Sequence, residues 1–298
     1  MIKVPSSFRA MPRWWRSGTE WLDGLPGLVD AQCEVWGLQV DGIPLHGSNA
    51  IVVPVRGGPR GDDALALRMT PPGDDLSALV EALRFWDGRG TVTLVDVDLP
   101  AGALLLERLD ARRSLSSLPL DDAIPVLART MLRLARPAPA HVPSTTQRPF
   151  EERATLVAAW HSAGAGRHAT LAQFHAAEEA ADLLSATSSD LAANADLHAG
   201  QVLAGSREAW LVVDPVLLRG DIECDLARVL WSRIDEMADS HEVLRHLRTV
   251  VDIAGLDERR ARAWVLYRAA SYLLWCLEHG LTEDPRRCGR LLDAVLPR

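Results

Sequence analysis

The pattern of apolar and polar positions changes about one third of the way along the chain. In the first 110 residues, short apolar runs rich in β-branched residues alternate with polar turns, a pattern typical of strands. A single amphipathic segment over 76–86 follows the third run and predicts a helix, because its apolar residues recur at helical spacing. The predicted strands cover 35–40, 50–56, 64–69, 91–97 and 103–108.

The remainder of the chain is mainly helical in pattern. A polar segment, 194–201, interrupts it and precedes two short apolar runs that flank Gly205-Ser206, which predicts a small β-hairpin. The pattern thus divides the chain into a sheet-rich part, 1–110, and a helical part, 111–298. The predicted helices of the second part cover 121–135, 150–162, 170–184 and 261–279.

Composition narrows the classes of protein that the chain can belong to. Its 298 residues, 48% hydrophobic and 24% charged, are typical of a soluble globular protein with a sizeable core. The net charge of -8 argues against a nucleic-acid partner, and it suits a cationic ligand although it is also ordinary for such a protein. The four cysteines are far apart, so we expect reduced thiols in a cytoplasmic protein. No apolar run approaches the roughly 18 residues of a membrane span, so we expect no membrane partner.

Two aspartates stand at the two ends of the predicted hairpin. Phosphoryl transfer uses one Asp to orient the attacking hydroxyl, and an amide five residues later together with a second Asp to hold magnesium. Asp196, Gln201 and Asp214 follow that order, with Gln in place of the usual Asn. Alternatively, Asp196 caps a turn and Asp214 begins a type I turn with Pro215. The two aspartates together favour a phosphoryl-transfer site.

The residues around these aspartates resemble a known family signature. Asp-Leu-His-Ala-Gly-Gln-Val-Leu, from Asp196, and Trp-Leu-Val-Val-Asp-Pro, ending at Pro215, resemble the motif of the aminoglycoside phosphotransferases. More narrowly, the chain resembles the streptomycin 6-kinase (aminoglycoside/hydroxyurea resistance kinase) branch. The resemblance implies an α+β, protein-kinase-like fold with two lobes: an N-terminal lobe with a five-stranded antiparallel sheet, and a mainly helical C-terminal lobe. It also implies ATP (or GTP) and Mg²⁺ as cofactors, and a kinase of antibiotic resistance or self-protection.

The resemblance assigns roles to individual residues. Asp196 would be the catalytic base, and Gln201 and Asp214 the metal ligands. The residues implied in nucleotide binding form a phosphate loop, a strand cation, its acidic partner and a hinge that meets adenine: Gly47, Ser48, Asn49, Arg68, Glu81, Glu107 and Leu109. From the residues alone, 47–49 equally suits a plain hairpin turn, and Glu81 suits a solvated helix face.

Four positions depart from the family pattern. Arg68 stands where the family has lysine, Asn194-Ala195 replaces His-Gly, and Gln201 replaces asparagine. The added methylene of Gln moves the amide oxygen by roughly 1 Å, and a displacement of that size is enough to lower the rate of phosphate transfer. Two hypotheses follow: an active kinase with an altered site, or a pseudokinase that binds a small molecule or regulates another protein.

The substrate implied by the resemblance is a small molecule, a cationic sugar or antibiotic, bound by a monomer or a homodimer. Carboxylates would bind its amino groups and tryptophans would pack on its rings. The candidates are Asp221, Glu223, Trp231 and Asp235. A solvated helix face also explains the acidic residues, and a helical core position also explains the tryptophan.

Overall fold

The chain divides into two compact units. The structure is a computed structural model that describes residues 1–11, 13–14, 19–58, 61, 63–186 and 189–296. The first unit comprises Met1–Asp110 and Gly205–Arg207, and the second comprises Ala111–Ala204 and Glu208–Arg298.

The first unit begins with helices rather than with a strand. The short α1 (Ser6–Arg9) precedes the long α2 (Glu20–Trp36), which contains Pro26 and ends at Gly37 in the left-handed conformation, φ 63°. The strand predicted at 35–40 is therefore wrong over its first residues, and β1 covers only Leu38–Val40. Helix α2 was not predicted because Pro and Gly lower its intrinsic helix propensity, which the burial of its apolar face overrides.

An antiparallel sheet forms the centre of the first unit. Its strands lie in the order β1-β3-β4-β6-β5, with the two-residue β2 paired to β3. The sheet thus has six strands where five were predicted, because β2 is too short to produce an alternating pattern. Helix α3 (Ser77–Trp86) follows β4. The remaining strands are β2 (Leu45–His46), β3 (Ile51–Gly57), β4 (Ala64–Met69), β5 (Leu94–Asp98) and β6 (Ala103–Glu107).

Alternating residues of the sheet pack into two different clusters. Leu67 and Leu105 face each other across β4 and β6, and both pack with residues of α2. Leu104 and Leu106 lie on the opposite face, where they pack with α3. Because side chains alternate between the two faces of a strand, one sheet supports both clusters.

The second unit is mainly helical. Helix α10 packs against α7, α8 and α11, and the buried face of the helix includes Trp264, Tyr267 and Leu273. No helix among the described residues is long and apolar enough to cross a lipid bilayer. The helices are α4 (Leu120–Leu134), α5 (Gln147–Glu152), α6 (Leu156–Ala163), α7 (Leu171–Ala186), α8 (Leu226–Trp231), α9 (Ser240–Ala254), α10 (Glu258–Glu278) and α11 (Asp284–Val295).

Short strands in the second unit bring distant segments together. The predicted hairpin is confirmed: β9 and β10 pair antiparallel, with Leu203 opposite Leu211. Strand β7 pairs with the other edge of β9, and β8 pairs with β11. The strands are β7 (Asp110–Ser114), β8 (Ala192–Ala193), β9 (Val202–Ala204), β10 (Leu211–Val212) and β11 (Leu218–Arg219).

Candidate active site

The segment between β8 and β9 carries the candidate catalytic base, and we call 194–201 the catalytic loop. It ends in one turn of 3₁₀ helix, Ala199–Gln201. The Val213 amide donates to the Gln201 carbonyl over 3.0 Å. Asp214 therefore directly follows the residue that is hydrogen-bonded to Gln201, as the predicted hairpin requires.

Asp196 is held by two side chains, one on each carboxylate oxygen. Gln201 Nε2 donates to Oδ2 over 2.9 Å, and Arg228 Nε donates to Oδ1 over 2.7 Å. The Asp196 side chain is 37% exposed, so solvent still reaches it. The base candidate and one metal-ligand candidate thus form one cluster, to which Arg228 of α8 belongs. Arg228 lies 32 positions from Asp196, and no motif in the sequence pointed to it.

Gln201 fits the part of a metal ligand. Its amide nitrogen faces Asp196, and its buried Oε1 has no hydrogen-bond partner among the residues that the structure describes. A buried acceptor without a partner costs about 1–3 kcal/mol. Amide and carboxylate oxygens are the ligands that Mg²⁺ prefers, so Gln201 Oε1 and the half-buried Asp214 suit that ion.

The rest of a magnesium shell would come from outside the protein. Across the described ranges, no group of three or more His, Cys, Asp or Glu side chains is arranged to hold a metal ion. Mg²⁺ usually keeps several waters and binds one or two carboxylates together with substrate phosphates. The residues present therefore fit a nucleotide-dependent ion rather than a permanently bound one.

Asn194 connects the catalytic loop to the chain that follows Asp214. It is fully buried, and its Oδ1 accepts a hydrogen bond of 2.7 Å from the Val216 amide. The side chain that replaces the family's His therefore links the two segments that carry Asp196 and Asp214.

Ala195 adopts a backbone conformation that glycine adopts more easily. Its φ is 60°, in the left-handed region, and the family has Gly at this position. For a residue with a Cβ this conformation costs roughly 1–2 kcal/mol. Arg268 of α10 helps to hold it, because Nη1 donates to the carbonyls of Ala195 and Cys224 over 2.8 and 2.7 Å.

Asp225 supports the catalytic loop through a buried hydrogen bond, and it was not predicted as a site residue. It is 1% exposed, and its Oδ1 accepts a 3.0 Å hydrogen bond from the Leu197 amide. Burial raises the pKa of Asp225 to about 6, against the opposing effects of the Leu197 amide and of Arg268. The sequence offered one signal, since the resemblance to the family extends beyond Pro215 to Asp225-Leu226-Ala227.

His198 is a neutral support of the loop. Its Nδ1 accepts a hydrogen bond of 3.2 Å from the Gly200 amide. Burial, and then the nearby Arg228 cation, lower the pKa of His198 to about 4, although Asp196 opposes this. A Cβ on Gly200 would lie 3.1 Å from the His198 ring, so glycine permits the close approach. His198 therefore supports the catalytic loop without carrying a charge.

A cavity of about 160 Å³ opens beside Asp196 within the second unit. Trp231 and Tyr272 form an aromatic wall, with ring centroids 5.4 Å apart and an edge-to-face angle of 87°. The Arg228 guanidinium lies over the Trp231 ring, 4.7 Å from its centroid. Among the described residues that line the cavity, Asp196 is the one carboxylate, and Arg228 and Arg268 are the two cations.

Of the four predicted substrate residues, only Trp231 lines this cavity. Asp221 is 4% exposed, and its Oδ2 accepts hydrogen bonds from Arg260 Nε (2.7 Å) and Trp264 Nε1 (2.9 Å). These contacts join it to α10. They give Asp221 a structural role, and no contact described here supports its predicted binding of substrate.

Asp235 and Glu223 also lie away from the cavity lining. Asp235 accepts hydrogen bonds from Arg286 and Arg287 of α11 over 2.7 and 2.6 Å. Burial alone would raise the pKa of Asp235, but the hydrogen bonds from these two guanidiniums outweigh burial and lower it. Burial raises the pKa of Glu223. Their binding of substrate stays a prediction without support from the cavity.

The predicted phosphate loop is a tight turn in the first unit. The Gly47 amide donates to the Ala50 carbonyl over 3.0 Å, so Ser48 and Asn49 form the turn between β2 and β3. This is the geometry of the plain hairpin turn. A Cβ on Gly47 would meet no atom within 4 Å, so the space beside the turn is open.

The other nucleotide candidates lie on the sheet and on α3. Arg68 of β4 donates from Nη1 to Thr70 Oγ1 over 2.6 Å, and Glu81 is half-buried on α3. Glu107 ends β6, where its carboxylate accepts from Thr93 Oγ1 and Arg207, both over 3.0 Å. Leu109 packs beside the cluster under α3. A hinge at Glu107 and Leu109 would act through backbone groups, and it stays a prediction.

Comparison with known proteins gives one consistent family. Residues 35–280 match the family model described as aminoglycoside/hydroxyurea antibiotic resistance kinase. The chain is 38% identical over 288 residues to a hydroxyurea phosphotransferase from Kitasatospora aureofaciens, covering 95% of this chain and 82% of that protein. It is 36% identical over 292 residues to a streptomycin 6-kinase from Streptomyces glaucescens, covering 94% and 92% respectively.

Solved structures show the same fold. A thermostable mutant of aminoglycoside phosphotransferase APH(4)-Ia, in a ternary complex with ADP and hygromycin B, superposes with a TM-score of 0.60 at 17% identity. The match covers 89% of this chain and 96% of that chain. The predicted protein-kinase-like fold, with an antiparallel sheet lobe and a helical lobe, is confirmed.

Proposed function

Because the chain belongs to the aminoglycoside/hydroxyurea antibiotic resistance kinase family and is a small-molecule kinase, we propose that Asp196 is its catalytic base and that Gln201 and Asp214 hold Mg²⁺. The γ-phosphate of ATP would pass to a hydroxyl of a small antibiotic-like molecule. One observation carries the assignment: Gln201 donates to Asp196 while its buried Oε1 has no partner among the described residues.

Each residue has a defined part in the reaction. Asp196 orients the attacking hydroxyl and takes its proton, which is the role of the catalytic-loop aspartate in this fold. Mg²⁺, when bound, neutralises charge that develops on the phosphates. Asp225 and Arg268 hold the loop, since Asp225 accepts from the Leu197 amide and Arg268 donates to the Ala195 carbonyl.

The nucleotide would be bound with the help of the first unit. The Gly47–Asn49 turn would bind the phosphates, together with the Arg68 cation and its partner Glu81. The backbone at Glu107 and Leu109 would bind the adenine. The open space beside Gly47 supports the first of these. Arg68 is a planar fork where lysine is a point charge, so it would contact the phosphates with a different geometry. ATP is proposed over GTP because the related structure contains ADP.

The pseudokinase alternative is not favoured. The relatives that resemble the chain over most of its length are named as a phosphotransferase and a kinase. The substituted residues of the catalytic loop also keep defined contacts and conformation: the Val216 amide donates to Asn194, and Ala195 keeps a left-handed turn.

Two kinds of acceptor are candidates. One relative is named for streptomycin, a cationic sugar, and another for hydroxyurea, a small neutral compound. The predicted cationic sugar agrees with the net charge of -8. The small compound is favoured by the cavity beside Asp196, where Arg228 and Arg268 outnumber the one carboxylate. We place the reaction in the cytoplasm, since all four cysteines are free and buried, and propose a monomer or a homodimer.

A phosphotransfer assay with ATP, Mg²⁺ and each acceptor tests the function. Asp196→Asn removes the proton acceptor but keeps the shape of the side chain, so we expect kcat to fall about 100-fold or more with little change in nucleotide affinity. Asp122→Asn, at an exposed position in the first turn of α4, is the matched control and should retain full activity. Near-normal turnover by Asp196→Asn would contradict the assignment.

A further inference from the structure

Arg228 is hydrogen-bonded to one of the two carboxylate oxygens of Asp196, the candidate base. Its Nε donates to Asp196 Oδ1, while Gln201 donates to Oδ2. A hydroxyl that binds Asp196 must donate its proton to a carboxylate oxygen, and the cavity lies on the side of Arg228. An acceptor that enters the cavity and binds Asp196 therefore also contacts the Arg228 guanidinium.

Aromatic side chains hold the Arg228 guanidinium at the wall of the cavity. Its guanidinium stacks 4.7 Å from the centroid of the Trp231 ring, and Tyr272 supports that ring at its edge. The guanidinium is planar, effectively always charged and rich in donors. If the Arg228 side chain moves away from Asp196, its donors must therefore find another oxygen acceptor. Arg268 cannot make the same shift without cost, because two backbone carbonyls accept from its Nη1.

Building on the proposed function, we propose that Arg228 is a specificity-determining residue that binds an oxygen of the acceptor next to the hydroxyl that receives phosphate. The site then takes small hydroxyl compounds with an adjacent carbonyl or carboxylate oxygen. The hydroxyl oxygen forms a bond to the γ-phosphorus, and the bond from that phosphorus to the β–γ bridging oxygen breaks. ADP leaves with the electron pair, and the hydroxyl proton passes to Asp196.

Charge and size argue against a polycationic acceptor in this cavity. Two guanidiniums and one carboxylate line a volume of about 160 Å³. The carboxylates expected to attract amino groups are engaged elsewhere: Asp221 with Arg260 and Trp264, and Asp235 with Arg286 and Arg287. Like charges at short range repel, and the repulsion is stronger where burial reduces screening by solvent.

Calorimetric binding of three acceptors tests this role. Hydroxyurea and glycolate each have a carbonyl or carboxylate oxygen beside the hydroxyl, and streptomycin is the polycationic comparison. Each is titrated with Mg²⁺ and a non-hydrolysable ATP analogue present. Arg228→Gln should weaken the binding of hydroxyurea or glycolate about 10- to 100-fold, the scale of one charge-assisted hydrogen bond. Streptomycin binding should not weaken.

Two further variants separate recognition from folding. Arg228→Lys keeps the charge but not the fork, and it should recover part of the lost affinity. Arg262→Gln removes an Arg–Glu258 pair on the surface of α10 and should leave binding unchanged. If Arg228→Gln unfolds at a lower temperature than the unmodified protein, the comparison between hydroxyurea or glycolate and streptomycin still decides the question, since a purely structural role would not discriminate between acceptors.

The outcomes distinguish this inference from the proposed function. Equal losses for hydroxyurea and streptomycin in Arg228→Gln, or no binding of hydroxyurea or glycolate by the unmodified protein, would overturn the role of Arg228 even if phosphate is transferred to streptomycin. Acceptor binding that depends on Arg228 without any phosphotransfer would instead support the inference and contradict the proposed catalytic assignments.

Discussion

At Ala195 a left-handed backbone is adopted by a residue with a Cβ. The strain is local, but the residue immediately precedes the candidate base, and its carbonyl is fixed by Arg268. The family has Gly at this position. The structure keeps the left-handed φ and places the cost on Ala195, because the contacts on both sides of the turn determine the path of the chain.

Ala195→Gly should stabilise the protein. Glycine adopts a positive φ without a Cβ clash, so we expect the free energy of unfolding to rise by up to about 1 kcal/mol, part of the gain being lost to the more flexible unfolded chain. Ala172→Gly, at an exposed position of α7, is the matched control and should instead lose about 1 kcal/mol. Urea unfolding of both variants measures the difference, and a loss in Ala195→Gly would contradict the strain.

Between elements, the site depends on contacts that a few side chains make across the second unit. Asp225 at the start of α8 holds the Leu197 amide, Arg268 of α10 holds the Ala195 carbonyl, and Asn194 holds the Val216 amide. The catalytic loop is short and irregular, so its backbone groups find these partners rather than a strand or helix. The position of Asp196 is therefore set by two helices and by the segment after β10.

Asp225→Asn should change the pH dependence of stability. The pKa of Asp225 is about 6 in the folded protein against about 3.9 in the unfolded chain. As pH rises from about 4 to 6, the unfolded chain loses its proton first, so this group destabilises the folded state progressively. The variant lacks the effect, and its free energy of unfolding relative to the unmodified protein should therefore rise over that range and be constant above it.

The same substitution has a second readout. An Asn oxygen can still accept from the Leu197 amide, but the negative charge near Arg268 is lost, so we expect a lower kcat than for the unmodified protein. Denaturant unfolding at several pH values, with the activity assay at pH 7, measures both effects. A stability difference that is independent of pH between 4 and 6 would contradict the raised pKa of Asp225.

At the scale of the whole molecule, the candidates for nucleotide binding and the candidates for catalysis lie in different units. The antiparallel sheet of the first unit holds the nucleotide candidates, with α2 and α3 packed on its two faces. The second unit holds the candidate base, the metal-ligand candidates and the cavity. A ligand that binds only the folded protein stabilises it by mass action, so thermal unfolding reports nucleotide binding by the intact chain.

Mg²⁺ with ATP should raise the melting temperature of the full chain by several degrees, and ATP alone should raise it less. Saturation at 100 times the Kd contributes about 2.7 kcal/mol. Asp214→Asn should remove the extra shift due to Mg²⁺, whereas Asp122→Asn should retain it. Equal shifts with and without Mg²⁺ in the unmodified protein would contradict the metal assignment.

Arg68→Lys should keep or raise the activity in the phosphotransfer assay, because lysine restores the family's cation.

The sequence by itself determined the features that depend on neighbours along the chain. Alternation and helical spacing predicted most strands and helices, with β4 at the bounds 64–69 that the structure has. The spacing of Asp196, Gln201 and Asp214 predicted a constellation whose first two members are hydrogen-bonded. These signals are local, because strand and helix periods and hairpin geometry act over a few residues.

Only the tertiary structure decided the features that depend on contacts between distant segments. Arg228 reaches Asp196, and Asp225 reaches Leu197, because α8 packs beside the catalytic loop. Arg260 of α10 engages Asp221 and Arg287 of α11 engages Asp235, although both aspartates had suited a cationic substrate by residue type. Helix α2 forms around Pro26 because burial against the sheet outweighs propensity. A charge or a helix face acquires its role from what lies across from it, and a linear pattern does not contain that neighbour.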